Sequence, residues 1–534
     1  MTGVQTCALP ILVVLLAVLI LEGYAQPLQT ARFEKESKSS EEEFYVLPME
    51  QDGLLLVQNP QRFEKNEKIW EFLVLDKDLQ TNWAAKLPLP PDHMLSGYEY
   101  KSGTYYLFFN RKNQDAFKGI QVTLHLKARK LIAQEVDINL NFKLTHYTVA
   151  EPNSIFGGYV NKEPAIAIFD AQSGRCSILP GFFLNDTDLL DIRPNSNNTF
   201  SVLELHKFNS DKFLRYRAYD RNGELLIEDQ FRLNPEINLL SAATSTLKND
   251  EVMISGTFAY GNFKQASGIF TALINPFDEQ ELSYTDFHEL SHFMDYMPEK
   301  RASKIIQKST QRKAYGRPSD FRIASTVHRI DDLPFGFVVF GESFLQPNTG
   351  SNMPNYNPYN PYYYRTMYYP YAMYYNPYSP MRYGYDPFMQ QQMMQSNNKM
   401  VNSFVVAFDL KGRRLWDQSV ALNELNGAPG EQFSDYTLTE DEAHFIFPDK
   451  SKIRFSKTQE TNGRKITELT GIASGKNETI QEDSYNGYSI RHWYNDAFIV
   501  YGHQTVREFV KPGEVDRKKV FFVNKINVGQ TDHK

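Results

Sequence analysis

Cysteine is nearly missing from this 534-residue chain, with Cys7 and Cys176 the whole complement. A disulfide framework is thereby excluded. Cys7 lies in an N-terminal stretch that reads as foreign, and one remaining thiol cannot pair within the chain. An exported protein of this composition must hold its core without covalent staples. Cys176 sits in a strand-like run and reads as buried and inert rather than reactive. An excess of positive charge is missing too. Lys and Arg total 57 against 64 Asp and Glu, a formal net charge of −7, which argues against general nucleic-acid affinity. The apolar run within Leu12–Gln26 (LVVLLAVLILEGYAQ) is too short to read as a membrane span. Glycine-rich phosphate loops and a G-x-S-x-G elbow are absent. Scattered Ser, His and Asp residues define no triad in sequence, so no catalytic residue is assigned.

The same run reads as the apolar core of a secretion signal. Gly23-Tyr24-Ala25 places small residues where a signal peptidase needs them, so residues 1–25 are expected to be a signal cleaved after Ala25. Met1–Ile11 (MTGVQTCALPI) lacks the usual basic residue and resembles the translation of a sequencing adapter read from a GTG start. Those eleven residues are expected to be an artefact, with the true start elsewhere. No Cys occupies a lipobox position after the apolar run, so a lipid anchor has no support. Residues 26–43 are polar and charged (SKSSEEE) and read as a tail without packing.

What the chain does contain is a recurring phrase: an apolar strand, a polar turn, a second strand. Ser403–Trp416 (SFVVAFDLKGRRLW) has it most clearly, and Phe72–Trp83, Ile166–Ile178 and Leu214–Ile227 repeat it. The turns begin near Asp76, Asp170, Asp220 and Asp409, with weaker copies near Lys127, Asn275, Ser456 and Asn524. The spacing, roughly 45–55 residues, is that of a propeller blade. Each unit divides into four short strands with turn residues between them. The predicted fold is therefore all-β: one propeller over residues 44–530, of about eight four-stranded blades, or seven if two weak units merge. The eighth unit (SIRHWY, AFIVYGH, VFFVNKINV) lacks an obvious fourth strand. Two insertions stretch the fifth-to-sixth interval. Residues 286–315 read as helix between blades. Residues 346–400 are low complexity inside a hairpin, and loops of a radial repeat tolerate such additions.

The turn D-x-x-G-x-x-x-W at Asp409–Trp416 resembles the blade motif of quinoprotein and WD40-like propellers. In the quinoprotein family the Trp packs between neighbouring blades. Only Trp83 and Trp416 occupy that position here, so the resemblance implies the architecture and not quinone chemistry. The mature chain as a whole resembles a group of exported Bacteroidetes proteins. The shared features are a signal ending in Ala-Gln, a basic helix after the fifth unit, the phrase VHRIDD…VVFGESF, a Tyr-rich insert and FDLKGRRLWD. That resemblance implies export and brings no activity with it.

Three segments invite functional readings. His288-Glu289-Leu290-Ser291-His292 matches HExxH, which on a helix would present two imidazoles to one zinc with the Glu as base. No third ligand follows: Asp295 and Pro298 stand where metzincins need Gly and His, and no Glu stands where gluzincins need one. His288 and His292 are thus weak metal candidates, and Phe287, Leu290 and Met294 read as a packing stripe. Glu299–Arg317 carries seven basic residues against one acid. It reads as a solvated helix face, with an anionic glycan as the alternative ligand. The third segment, Asn355–Tyr385, is a near-repeat of Tyr, Pro, Asn and Met that cannot form a periodic core. Tyr362, Tyr363, Tyr364, Tyr368, Tyr369, Tyr374 and Tyr375 are candidate ligand contacts, since clustered Tyr offers flat amphipathic surface. The Met residues there could bind copper(I), but no His or Cys supports them.

The expected function is an exported, non-catalytic binding or scaffolding propeller of the bacterial envelope. Its ligand is a protein or glycan, with no cofactor, no nucleic acid and no transmembrane span. The alternatives are a channel-centred hydrolase or lyase, and an HExxH zinc protease.

Overall fold

The protein is described here by a computed structural model. The described residues are 28–38, 42–111, 117–208, 211–247, 251–274, 282–334, 336–345, 384–385, 398–427, 432–439, 442–449, 452–457, 465–469, 478–480, 488–511 and 514–528. The expected signal peptide and its adapter-like start, and the seven candidate Tyr residues of the insert, lie outside them.

Eight antiparallel four-stranded sheets follow one another around a ring, the β-propeller that the repeat spacing predicts. The first blade runs Glu43–Pro48, Leu54–Asn59, Glu67–Leu75 and Thr81–Leu89, from the innermost strand a to the outermost strand d. Middle strands read as continuous apolar runs because both faces pack against neighbouring blades. Leu54–Asn59 is buried throughout, whereas the outer strand Leu225–Arg232 of the fourth blade is largely exposed. The core is a series of apolar layers between blades. Trp70, Phe72, Tyr98, Leu107 and Phe109 fill the layer between the first two.

The recurring phrase has a physical basis. Each Asp sits at the start of the c–d turn, and its Oδ1 accepts from the backbone N–H groups that follow. Asp220 accepts from Asn222 at 2.9 Å and Glu224 at 2.7 Å; Asp409 accepts from Lys411 and Arg413, both at 2.9 Å. In the Asp220 and Asp409 turns the residue three places on adopts positive φ, +90° at Gly223 and +72° at Gly412, a region glycine enters without steric cost. A second repeat escapes the eye in sequence. The innermost strand carries a β-bulge in blades 2 to 6 and in blade 8, between Leu95 and Gly97, Leu144 and His146, and so on to His492 and Tyr494. A bulge sharpens the twist of the strand that lines the axis.

Three expectations need correction. The described part of the expected tail 26–43 is not unpacked. Leu28–Glu36 forms a strand that pairs antiparallel with Glu514–Asn527 and supplies the missing fourth strand of blade 8. Arg32 fixes it, donating to Asn524 at 3.2 Å and to Gln504 at 3.1 Å. Composition misleads because an outermost strand is exposed and so reads as polar. The helical insertion is shorter than 286–315. Residues up to Asp286 complete blade 5, Phe287–Glu289 is one 3-10 turn, and the single α-helix among the described residues, α1, spans Glu299–Ala314. Lastly, the packing between blades that the quinoprotein resemblance implies for Trp83 and Trp416 is partial: they occupy equivalent places beside the c–d bulge, opposite Val74 and Ala407, but both are only half-buried. The fully buried Trp is Trp70.

Candidate functional site

In this topology the a–b loops and the c–d turns emerge on the same face of the ring. There the a–b loops of blades 8 and 1 enclose a cavity of about 370 Å³ lined by Glu50, Gln51, Asp52, Trp493, Tyr494 and Asn495. The chain is shaped locally to build it. Glu50 and Asn495 both take positive φ, +49° each. Gly53 has φ +120°, and a Cβ there would stand 2.0 Å from the Leu75 carbonyl oxygen, so only glycine fits. The Gly53 carbonyl accepts from Trp493 Nε1 at 3.1 Å, which locks the indole against blade 1. Tyr494 stands edge-on to Trp493 with centroids 4.9 Å apart, and Lys525 Nζ lies 5.3 Å from the Tyr494 ring centroid.

The rim continues along blades 2 to 4. Tyr100 donates its hydroxyl to Asp52 at 2.7 Å. Burial, and then the Asp52 and Glu50 carboxylates, push the Tyr100 phenol well above its ordinary value, so it remains a donor. Its neighbour Glu99 is mostly buried and accepts from Thr148 Oγ1 of blade 3 at 3.1 Å. Burial raises the Glu99 carboxyl to about 7, against the opposing pull of Thr148, Lys101 and Arg193. Lys101 donates to Asn198 at 2.9 Å, and burial lowers its ammonium. The mouth thus presents carboxylates and amides beside aromatic edges, a set suited to a ligand rich in hydroxyls or amines.

Elsewhere near the axis, ionisable side chains serve as ties between blades. Arg329 of blade 6 reaches Asp435 of blade 7 at 2.7 Å, and Asp435 accepts from the His492 N–H of blade 8 at 2.7 Å. Asp191 accepts from Thr244 Oγ1 at 2.8 Å between blades 4 and 5. His328, Glu342 and Ser434 have the composition of a triad but not its order. Glu342 takes His328 Nε2 at 2.8 Å and Ser434 Oγ at 2.6 Å, so the hydroxyl faces the acid and not the imidazole. All three are buried.

The HExxH segment does not form the geometry its spacing suggests. Leu290 is extended (φ −78°, ψ 132°), so His288 and His292 are not one helical turn apart. His288 is buried 3.7 Å from Asp286, while His292 is exposed and bonds Asp295 at 3.0 Å. The Glu289 carboxylate is occupied by Lys313 Nζ at 2.7 Å and by the Asp286 N–H at 2.9 Å. The expected apolar stripe does pack: Phe287, Leu290 and Met294 join the layer around blade 6. Cys176 is half-buried, and burial pushes its thiol up to about 11, as expected of an inert side chain. Of the Tyr-rich tract, Gly384–Tyr385 pairs through its backbone with Phe44 and Tyr45 on the inner edge of blade 1. The mouth residues themselves went unread in sequence. Asp52 and Trp493 stand some 440 positions apart in loops with no shared motif, and only ring closure brings them together.

No protein-family model matches the sequence, and no curated protein aligns with it significantly. Solved structures do. The polysaccharide lyase Uly1 is 8% identical over 94% of this chain and 100% of its own, with a TM-score of 0.37. An ulvan lyase from a new polysaccharide lyase family is 9% identical over 80% of this chain and 93% of its own, TM-score 0.38. The β-propeller domain of the Trilobed protease from Pyrococcus furiosus is 7% identical over 83% and 97%, TM-score 0.34. No functional residue is carried over from any of them. No helix among the described residues is long and apolar enough to cross a membrane.

Proposed function

We propose that the protein is an exported binding or scaffolding propeller of the bacterial cell envelope, non-catalytic, that holds a glycan or a protein segment at the a–b loop mouth. One observation carries the reading: the cavity of about 370 Å³ in which Glu50, Asp52 and Asn495 face Trp493 and Tyr494. Carboxylates and amides accept and donate to hydroxyls while an aromatic edge packs on a ring, at the small end of ligand-site volumes. Arg329, Asp435 and Asp191 are committed to inter-blade bonds, which favours holding over turnover. Export rests on the signal-like N-terminus. A glycan array probed with the purified protein tests the reading, with Tyr494→Ala as control. Binding by the parent that falls roughly tenfold in the variant supports it. Equal binding by both would refute it.

Glu99 favours a second reading, a lyase or hydrolase centred on the channel. A carboxyl titrating at about 7 is suited to proton transfer at neutral pH. Under that reading, product would form from a bound polysaccharide, and Glu99→Gln would abolish it.

A further inference from the structure

A second concavity lies away from the mouth, between the outer edge of blade 5, the c–d turn of blade 6 and the end of α1, with a volume of about 360 Å³. Its charge is opposite to that of the chain. Lys313, Lys411, Arg413 and Arg414 line it, with Glu289 the one acid on its wall, in a protein of formal net charge −7. Counting Asp409, which holds Arg413 at 2.6 Å, four cations still face two carboxylates.

The cations are not equivalent. Glu289 is committed to Lys313 and to the Asp286 N–H, and its carbonyl takes Arg414 Nη1 at 2.5 Å. That contact orients the Arg414 guanidinium, whose other N–H groups form no bond to the described residues. Lys411 makes no ion pair among the described residues, although its own N–H is bonded to Asp409 at 2.9 Å. A fixed guanidinium and an unpaired ammonium lining one concavity are groups that bind an oxyanion. Thr271, Ser283 and Thr285 also line the groove. Cations and hydroxyl-bearing side chains on one groove match a sugar that carries an acidic group. The volume suits a ligand of one or two rings.

We infer that this groove is a binding site for an acidic saccharide, one bearing a uronate carboxylate or a sulfate ester. The saccharide places its oxyanion between Lys411 and Arg414, and its ring hydroxyls against Ser283 and Thr285. The inference does not depend on the mouth, because the two sites share no residue.

Calorimetric titration of the full chain with a uronate oligosaccharide, a sulfated oligosaccharide and their neutral parent tests it. At least one acidic oligomer should bind, more weakly as salt rises, and the neutral parent at least about tenfold more weakly. Which acidic oligomer binds decides between carboxylate and sulfate. Lys411→Glu should lower that affinity by roughly tenfold or more. Lys411→Arg should preserve it. Lys411 is exposed in a turn, so both Lys411 variants should melt with the parent, and thermal scans check this. The inference is overturned if the neutral parent binds equally, if Lys411→Glu binds like the parent, or if neither acidic oligomer binds. Equal binding of a short single-stranded DNA or of anionic lipid vesicles would overturn it too, by showing unselective attraction to charge.

Discussion

Glu99 and His503 are ionisable groups that folding holds out of register with the pH of their surroundings, in opposite senses. Glu99 is raised to about 7, so between the ordinary carboxylate range and pH 7 the folded chain binds a proton that the unfolded chain has lost. Stability from this group is therefore full at acid pH and falls as pH rises to about 7. Glu99→Gln should raise the melting temperature at pH 8 and leave it nearly unchanged at pH 4. His503 is buried between Phe44 and Phe521, with centroids 5.5 and 5.3 Å away, and burial depresses its imidazole to about 3. Here the unfolded chain takes up the proton first, below about 6.5. Stability is full above that pH and is lost as pH falls toward 3. His503→Phe should flatten this part of the acid limb in melts from pH 7 to 4, and an unaltered limb would show that other groups dominate. Lys519 is the one charged group that opposes His503 protonation appreciably.

At the scale of strands and turns, the legible features were those with local chemistry. Asp220 followed by Gly223, and Asp409 by Gly412, betray a turn because side-chain acceptance and positive φ each demand a residue type. The eight-fold repeat followed from those turns, and the insert positions followed from the repeat. The strand Leu28–Glu36 was illegible because its partner is nearly 500 residues away and, apart from Ala31 and Phe33, which pack on the core, its residues 29–36 are polar. The mouth was illegible for the same reason: Trp493 owes its orientation to the carbonyl of Gly53. Deleting Leu28–Glu36 should therefore lower the urea midpoint sharply, where trimming a free tail would cost under about 0.5 kcal/mol. Blade-edge tryptophans give a graded check. Trp70→Ala, at a fully buried site, should cost roughly 3–5 kcal/mol. Trp416→Ala, half-buried, should cost about 2 kcal/mol, short of that range. Equal costs in chemical denaturation would mean that the inter-blade layers do not carry the stability.

For the whole molecule, the ring is closed by mixing the two ends of the chain in blade 8, and the seam between blades 8 and 1 is also where the cavity opens. Phe44 stacks on Phe521 at 4.2 Å across that seam, and Lys35 reaches Glu71 at 2.8 Å. Closure and the proposed recognition thus share one junction, and ligand binding at the mouth should raise the melting temperature of the whole ring. The most direct test of the binding reading follows the fate of a ligand. The best glycan from the array is incubated with the parent protein, Asp52→Asn and Glu99→Gln, and both bound and chemically changed ligand are quantified. The expected result is that the parent and Glu99→Gln bind and return the glycan intact, while Asp52→Asn binds it several-fold more weakly. Cleavage by the parent, greatest near pH 7 and lost in Glu99→Gln, would contradict a non-catalytic binding propeller.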